Sequence, residues 1–281
     1  MADSQTKNIR KVALTSLAGT SIEWYDFFLY GTAAAIIFPN AFFPSDMPAM
    51  VALIASFSTF AVGFLARPLG GIIFGHFGDR VGRKQTLVLA LLIMGTSTTL
   101  IGLLPTYATI GYIAPLILVL LRFVQGLAIG GQWGGAMLLV TESAPADKRG
   151  WYGAYAQAGA PIGVILANLA FLGVSGGMSE DAFLDWGWRL PFLASIVLIG
   201  VSLYVQLNLE DTEAFKKLAN NQSEKSIEDM PSRRSPIVEV IVNYPKRIFL
   251  AAGAFLSIQV TFYILIAFIM AYGVNSPSVM L

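Results

Sequence analysis

The chain has 281 residues, of which 56% are hydrophobic and only 12% are charged. A soluble domain carries about twice that charged fraction, so this composition is typical of an integral membrane protein. The chain has no cysteine and one histidine, and this composition excludes disulfides, thiol nucleophiles and Cys/His metal clusters. We therefore expect neither a metal nor a cofactor.

Seven apolar segments are long enough to cross a bilayer, which takes about 20 helical residues each. They lie near residues 12–38, 49–77, 85–104, 110–140, 151–175, 189–209 and 248–272. The first segment is too long for a secretory signal and contains acidic residues, so we interpret it as a span. The predicted division is a polar arm (1–11), a bundle of six spans (12–209), a polar linker (210–247) and the start of a second bundle (248–281).

The distribution of cations between the loops predicts the orientation of the chain. Loops 39–48 and 105–109 contain no Lys or Arg, and loop 176–188 contains only acidic charges. The alternate polar segments carry Lys and Arg, namely 1–11, 80–84, 148–149 and 216–247. Because cytoplasmic loops hold the excess of cations, we expect the N-terminus and the linker to be cytoplasmic.

Two carboxylic acids lie within the first span. Glu23 and Asp26 are three residues apart and share a helix face with Tyr30. Near the middle of a membrane a carboxyl group faces the bundle interior, where it either pairs with a cation or takes up a proton. We therefore interpret the two acids as the proton-coupling residues. Asp26 is the predicted carrier, and Glu23 is its modulator or a structural partner of Arg122.

Arg122 belongs to a polar stripe on the fourth span with Gln125 and Gln132. A fixed cation at this depth attracts a carboxylate strongly, and its planar guanidinium can hold both oxygens. The stripe therefore predicts a site for an anionic substrate. The alternative is that Arg122 only neutralises Glu23 or Asp26.

Other polar and aromatic residues on the spans are weaker candidates for the substrate site. Arg67, on the second span, could bind substrate or only extend toward the cytoplasm. Trp133 could line the cavity, although aromatic residues on spans more often pack. The rest of the predicted substrate-binding set is Tyr30, Gln157, Gln259 and Tyr263.

Small residues and aromatic residues also predict how the spans pack. Glycines four residues apart allow close helix approach in lipid. These pairs are Gly71/Gly75, Gly126/Gly130, Gly130/Gly134, Gly131/Gly135 and Gly159/Gly163. Trp186, Trp188 and Arg189 begin the sixth span and are typical of an outer interfacial belt.

A short charged loop joins the second and third spans, and its pattern is G-x-x-x-D-R-x-G-R-K over residues 75–84. It resembles the signature loop between helices 2 and 3 of the major facilitator superfamily; the alternative is an ordinary cytoplasmic loop. The resemblance implies a gate at the cytoplasmic end, with a charge relay that includes the end of the fourth span. The predicted gate residues are Gly75, Asp79, Arg80, Gly82, Arg83, Lys84, Glu142 and Arg149.

Further motifs narrow the resemblance to the metabolite:proton symporters. They are Glu23-Trp24-Tyr25-Asp26, Ala66-Arg67-Pro68-Leu69-Gly70, Arg122-Phe123-Val124-Gln125-Gly126, Gly130-Gly131-Gln132-Trp133-Gly134-Gly135, Ala158-Gly159-Ala160-Pro161-Ile162-Gly163 and Trp186-Gly187-Trp188-Arg189-Leu190-Pro191-Phe192. The resemblance implies an all-α major facilitator fold and proton-coupled uptake of a small metabolite across a bacterial inner membrane. Organic acids, osmolytes and shikimate-like compounds are the implied substrates.

The same resemblance implies about twelve spans in two bundles. We therefore expect one complete six-helix bundle plus the first helix of the second. The rival interpretation is a truncated, non-transporting half that needs a partner chain or the missing C-terminal half. A membrane enzyme ranks third, because the polar residues within the spans offer no nucleophile–base set.

Overall fold

The computed structural model describes residues 2–81, 83–207 and 242–264. These residues contain no strand, and each predicted span corresponds to one long helix. The long helices are α1 (Ala2–Ile36), α2 (Ala49–Val81), α3 (Arg83–Leu103), α4 (Ile113–Ser143), α5 (Arg149–Gly176), α6 (Arg189–Leu207) and α7 (Pro245–Tyr263). Short helices cover Phe38–Ala41, Tyr107–Ile110 and Glu180–Ala182, a 3₁₀ turn covers Ala146–Lys148, and a π-helical turn covers Phe183–Gly187. The all-α prediction is confirmed.

Length and apolarity mark four described helices as able to cross a membrane, or five if one bent pair counts as a single span. The four are α2, α3, α4 and α5, and the bent pair joins Glu180–Gly187 to the first part of α6 at 51°. α1 is long enough to cross, but many of its buried side chains are polar. Those are Thr15, Ser16, Thr20, Ser21, Glu23 and Asp26.

The chain divides into two compact units, Met1–Glu224 and Lys225–Leu281. In the first unit α1 occupies the centre, because it contacts each of the other five long helices. The most extensive pairings are α1 with α5, α2 with α4, and α3 with both α4 and α6. The polar side chains of α1 are therefore enclosed by the bundle. The described part of the second unit contains α7.

Close approach between helices depends on glycine at several positions. An added Cβ at Gly130 would overlap the carbonyl oxygen of Arg67, so the backbones of α4 and α2 touch there. At Gly163 a Cβ would lie 2.7 Å from the backbone nitrogen of Tyr25, which brings α5 equally close to α1. Gly75, in contrast, has no atom within 4 Å of such a Cβ. The predicted close helix approach is also confirmed at Gly126, Gly131 and Gly159. The surroundings of Gly134 and Gly135 lie outside the described residues.

The prediction of an outer interfacial belt at the start of the sixth span is wrong for Trp188. Trp186 is 53% exposed, but the turn at Phe183–Gly187 directs Trp188 into the core, where it is fully buried against Phe38 and Phe192. Arg189 donates hydrogen bonds of 2.8 and 2.7 Å to the carbonyl oxygens of Gly102 and Leu104. It therefore satisfies backbone acceptors at the C-terminal end of α3.

Candidate functional site

Asp26 lies in the centre of the first unit and is only 2% exposed. Its carboxylate accepts hydrogen bonds from two hydroxyls on neighbouring helices. Ser195 Oγ, on α6, donates to Oδ1 at 2.7 Å, and Thr98 Oγ1, on α3, donates to Oδ2 at 3.1 Å. A buried carboxylate needs such donors, because water cannot solvate it there. The sequence does not mark either hydroxyl, since Ser and Thr occur throughout the spans.

A continuous chain of hydrogen bonds connects Asp26 to Arg122. The Thr98 hydroxyl accepts a hydrogen bond of 2.7 Å from Gln125 Nε2. Gln125 Oε1 in turn accepts one of 3.1 Å from Arg122 Nη1. We call these four residues the Arg122–Asp26 chain, and all four are buried. The structure thus links Arg122 to Asp26 through two intervening side chains.

Aromatic rings and a glycine surround the guanidinium of Arg122. Its Cζ lies 4.2 Å from the ring centroid of Tyr30, 4.7 Å from that of Phe60 and 5.5 Å from that of Phe27. Tyr30 is fully buried, and its hydroxyl shares a hydrogen bond of 2.6 Å with Thr59. An added Cβ at Gly63 would lie 2.7 Å from Arg122 Nε, so the helix leaves room for the cation. Because Arg122 is buried, these cation–π contacts stabilise its charge.

Glu23 is associated with a different cation. It is 4% exposed and interacts electrostatically with Arg67 of α2. The Arg67 guanidinium lies over the rings of Phe64, at 4.5 Å, and Phe27, at 5.0 Å. Arg67 is therefore the cation whose charge acts on Glu23. The packing of the Arg67 guanidinium on two rings favours a pairing or binding role for Arg67 over extension toward the cytoplasm.

The guanidinium groups of Arg122 and Arg67 lie near the same aromatic ring. Phe27 lies 5.5 Å from the Cζ of Arg122 and 5.0 Å from that of Arg67. Six of the predicted residues thus form one buried or half-buried cluster, namely Glu23, Asp26, Tyr30, Arg67, Arg122 and Gln125. Gln157 is not in this buried cluster, because its side chain is exposed on α5. Gln259 is half-buried within the second unit, and the side chains of Gln132, Trp133 and Tyr263 lie outside the described residues.

The predicted gate is described only in part. α2 ends at Val81 and α3 begins at Arg83, so the two helices follow each other almost directly, and they are in contact. Gly75 and Arg149 are exposed. The other predicted gate residues lie outside the described side chains, and Gly82 lies outside the described backbone as well; they are Asp79, Arg80, Gly82, Arg83, Lys84 and Glu142.

An open cavity of about 370 Å³ lies between α1 and α5. Its lining is mainly apolar, and its polar members are Thr32, Asn168 and Ser175. It therefore offers no fixed charge to a carboxylate, in contrast to the buried cluster. Among the described residues no group of three His, Cys, Asp or Glu side chains could hold a metal ion.

Comparison with known proteins matches residues 11–241 to the family described as sugar (and other) transporters. The chain is 46% identical to the inner membrane metabolite transport protein YhjE of Escherichia coli K12, covering 96% of this chain and 59% of that protein. It is 44% identical to the shikimate transporter of the same organism, covering 95% of this chain and 59% of the transporter. The chain therefore spans about 59% of the length of these relatives.

A likeness to solved structures supports the fold. The proton:xylose symporter XylE of E. coli, a major facilitator superfamily protein, superposes with a TM-score of 0.69. The superposition covers 78% of this chain and 48% of XylE, at 16% identity. The described helices thus have the arrangement found in about the first half of a major facilitator protein.

Proposed function

Since this chain belongs to the sugar (and other) transporter family of the major facilitator superfamily, we propose that it serves proton-coupled symport of a small metabolite by alternating access. The buried Arg122–Asp26 chain is the observation that carries the proposal. A carboxylate and a guanidinium cost several kcal/mol to enclose in a membrane bundle, so they remain there only where they are paired and useful. Asp26 is the proposed proton carrier, and Glu23 modulates it.

Coupling requires that the affinity of Asp26 for a proton differ between the two conformations. A driving ion shifts a conformational equilibrium only through its differential affinity for the two states. In this conformation two hydroxyls donate to the Asp26 carboxylate, and Arg122 is linked to it through Gln125 and Thr98. Rocking of the bundles would wet this site and change the donors around it, and thereby change the proton affinity.

The proposed substrate is a carboxylate. The curated shikimate transporter is a relative, and shikimate carries a carboxylate. Arg122 and Arg67 are the two cations that could bind one, since both guanidinium groups flank Phe27. Because Arg122 is enclosed in this conformation, its substrate role depends on opening of the site; neutralisation of Asp26 is its alternative role. A ligand-stability screen that compares organic acids with zwitterionic osmolytes would separate the two substrate classes.

Transport would also require a second bundle. A midplane cavity needs walls from both halves of the fold. We therefore propose that the 12–209 bundle works with a C-terminal half or a complementary chain. The proposed location is the bacterial inner membrane, with a cytoplasmic N-terminus and a gate at the loop after α2. The alternative is a half that does not transport by itself. Proton-driven uptake by the 281-residue chain alone would contradict the need for a second half.

The experiment uses an extended version, in which this chain is followed by the remaining part of E. coli YhjE. Asp26→Asn, Glu23→Gln and the unsubstituted protein are compared in vesicles. If Asp26 carries the proton, Asp26→Asn retains substrate exchange but loses proton-driven accumulation and its pH dependence. Glu23→Gln should retain part of the accumulation.

The substitutions also distinguish the two carboxyl groups. Unchanged accumulation in Asp26→Asn would eliminate Asp26 as the carrier. The same result in Glu23→Gln as well would eliminate both carboxyl groups as the site of proton coupling. Membrane levels of each variant, measured with a fused fluorescent tag, control for folding.

A further inference from the structure

The Thr98 hydroxyl has three hydrogen-bond partners but only one proton. It accepts from Gln125 Nε2 at 2.7 Å, and it lies 3.1 Å from Asp26 Oδ2 and 3.0 Å from the backbone carbonyl oxygen of Met94. Because the hydroxyl can donate to one of the two oxygens fully at any moment, it has two satisfied orientations. Thr98 is fully buried, so water does not compete for either.

Among the described residues, the neighbouring hydroxyls of α3 each have a single acceptor. Ser97 donates to the carbonyl oxygen of Ile93 at 2.8 Å, and Thr99 donates to that of Gly95 at 2.9 Å. These are the ordinary bonds of Ser and Thr to the preceding helical turn. Thr98 can donate the equivalent bond to Met94 or donate to Asp26 instead, and it also accepts from Gln125. Its position is therefore distinguishable from that of a merely tolerated threonine.

The donors of the chain all point toward Asp26. Arg122 donates to Gln125, the Gln125 amide donates to Thr98, and the Thr98 hydroxyl donates to Asp26. This direction suits an ionised carboxylate, which only accepts hydrogen bonds. A protonated Asp26 would instead donate, and its O–H on Oδ2 would face the Thr98 oxygen.

We propose that Thr98 is a positioning residue that transmits the protonation state of Asp26 to Gln125 and Arg122. When Asp26 is ionised, the Thr98 proton points to Oδ2, and the Thr98 oxygen is free to accept from Gln125. When Asp26 is protonated, its O–H donates to the Thr98 oxygen, and the Thr98 proton turns to the Met94 carbonyl oxygen. The Thr98 oxygen then accepts two hydrogen bonds, which weakens its bond to Gln125 and loosens the hold of Gln125 on Arg122. The only covalent change is the O–H bond formed on Asp26 with a proton from the aqueous side.

Among the described residues, few charged or titratable groups act on Asp26. Arg122 faces Asp26 from α4, and Glu23 and Tyr25 interact with it electrostatically from its own helix. α3 and α6 contribute the hydroxyls of Thr98 and Ser195. The inference rests on the proposed role of Asp26 as the proton carrier, so its test must separate the two.

The test compares Thr98→Val, Thr98→Ser and Thr99→Val in the extended version, with Asp26→Asn beside them. Valine keeps the shape of threonine and removes the hydroxyl, serine keeps the hydroxyl, and Thr99→Val makes the same change one residue away. We expect Thr98→Val to lower proton-driven accumulation by about tenfold, as loss of one hydrogen bond to a charged group implies, while substrate exchange changes less than about threefold. Thr98→Ser should restore accumulation to within about twofold, and Thr99→Val should leave it unchanged.

The outcomes separate the inference from the proposed function. If Asp26→Asn abolishes accumulation but Thr98→Val behaves like Thr99→Val, the inference is overturned and the proton carrier stands. If Asp26→Asn leaves accumulation intact, the carrier itself is wrong. Equal losses of exchange and accumulation in Thr98→Val, without rescue by serine, would show a purely structural role. Thr98→Ala, which removes the hydroxyl without adding bulk, serves as a second variant where valine prevents membrane insertion.

Discussion

Replacing Gly130 with alanine should destabilise the bundle, because α4 and α2 meet there through their backbones. The added Cβ would overlap the carbonyl oxygen of Arg67 and lie 2.8 Å from its carbonyl carbon and 2.9 Å from its Cα. These are backbone atoms, so no side-chain rotation can relieve the contact. The helices must separate or shift, and this would move the backbone that carries Arg67.

Two opposing effects determine the magnitude. Overpacking of a well-packed interior costs about 1–3 kcal/mol. Alanine in a helix interior is about 1 kcal/mol more favourable than glycine, which offsets part of that cost. Because the overlap involves backbone, we place the overpacking near the upper limit and expect a net loss of about 1–2 kcal/mol in the free energy of unfolding.

Gly71→Ala is the matched control for this substitution. Its Cβ would lie 3.5 Å from the carbonyl oxygen of Gly130, which is ordinary van der Waals contact at the same helix pair. Gly71→Ala should therefore be neutral or slightly stabilising. Denaturant titration of both variants in detergent micelles, followed by tryptophan fluorescence, measures the difference. Equal stability of Gly130→Ala and Gly71→Ala would refute the close backbone contact between α2 and α4.

Two further predictions concern the substrate and the orientation. Arg122→Lys in the extended version should weaken an anionic substrate by about tenfold, or about 1.4 kcal/mol, because lysine lacks the planar fork; competition uptake measures this. If Arg122→Gln alone loses exchange and the added Asp26→Asn restores it, Arg122 only neutralises the carboxylate. Tags at Gln5 and within 176–184 should label from the cytoplasmic and periplasmic sides respectively, and access to Gln5 in intact cells would contradict the orientation.

The sequence predicts the helices of this chain well, because apolar length is the dominant signal of a span. It also indicates the buried charges, since Asp26 and Arg122 are conspicuous among apolar residues. It does not predict Trp188 as a core residue, because an aromatic residue near the end of a span is equally typical of an interface. The π-helical turn at Phe183–Gly187 and the packing of this ring on Phe38 and Phe192 are features of the folded bundle.

The hydroxyl donors of Asp26 are beyond the reach of sequence reasoning for a different reason. Thr98 and Ser195 lie 72 and 169 residues from Asp26 along the chain. Recognising them would require the rotation of α3 and α6 about their axes, and serine and threonine in spans commonly bond only to their own helix. Ser97 and Thr99 do just that. Residue type therefore does not separate Thr98 from its neighbours.

The two acids of α1 illustrate how a small angular difference separates two roles. A spacing of three residues places side chains about 60° apart around a helix, which is one face by sequence but two directions within a bundle. Asp26 accepts hydrogen bonds from hydroxyls on α3 and α6, whereas Glu23 interacts electrostatically with Arg67 of α2. Both cations lie near the ring of Phe27, and one of the two hydrogen bonds of Asp26, that from Thr98, leads on to Arg122. A charge change at Asp26 can thus alter the hydrogen bonding of Arg122. A charge change at Glu23 acts through the electrostatic field. The two neutralising substitutions should therefore have different effects on accumulation.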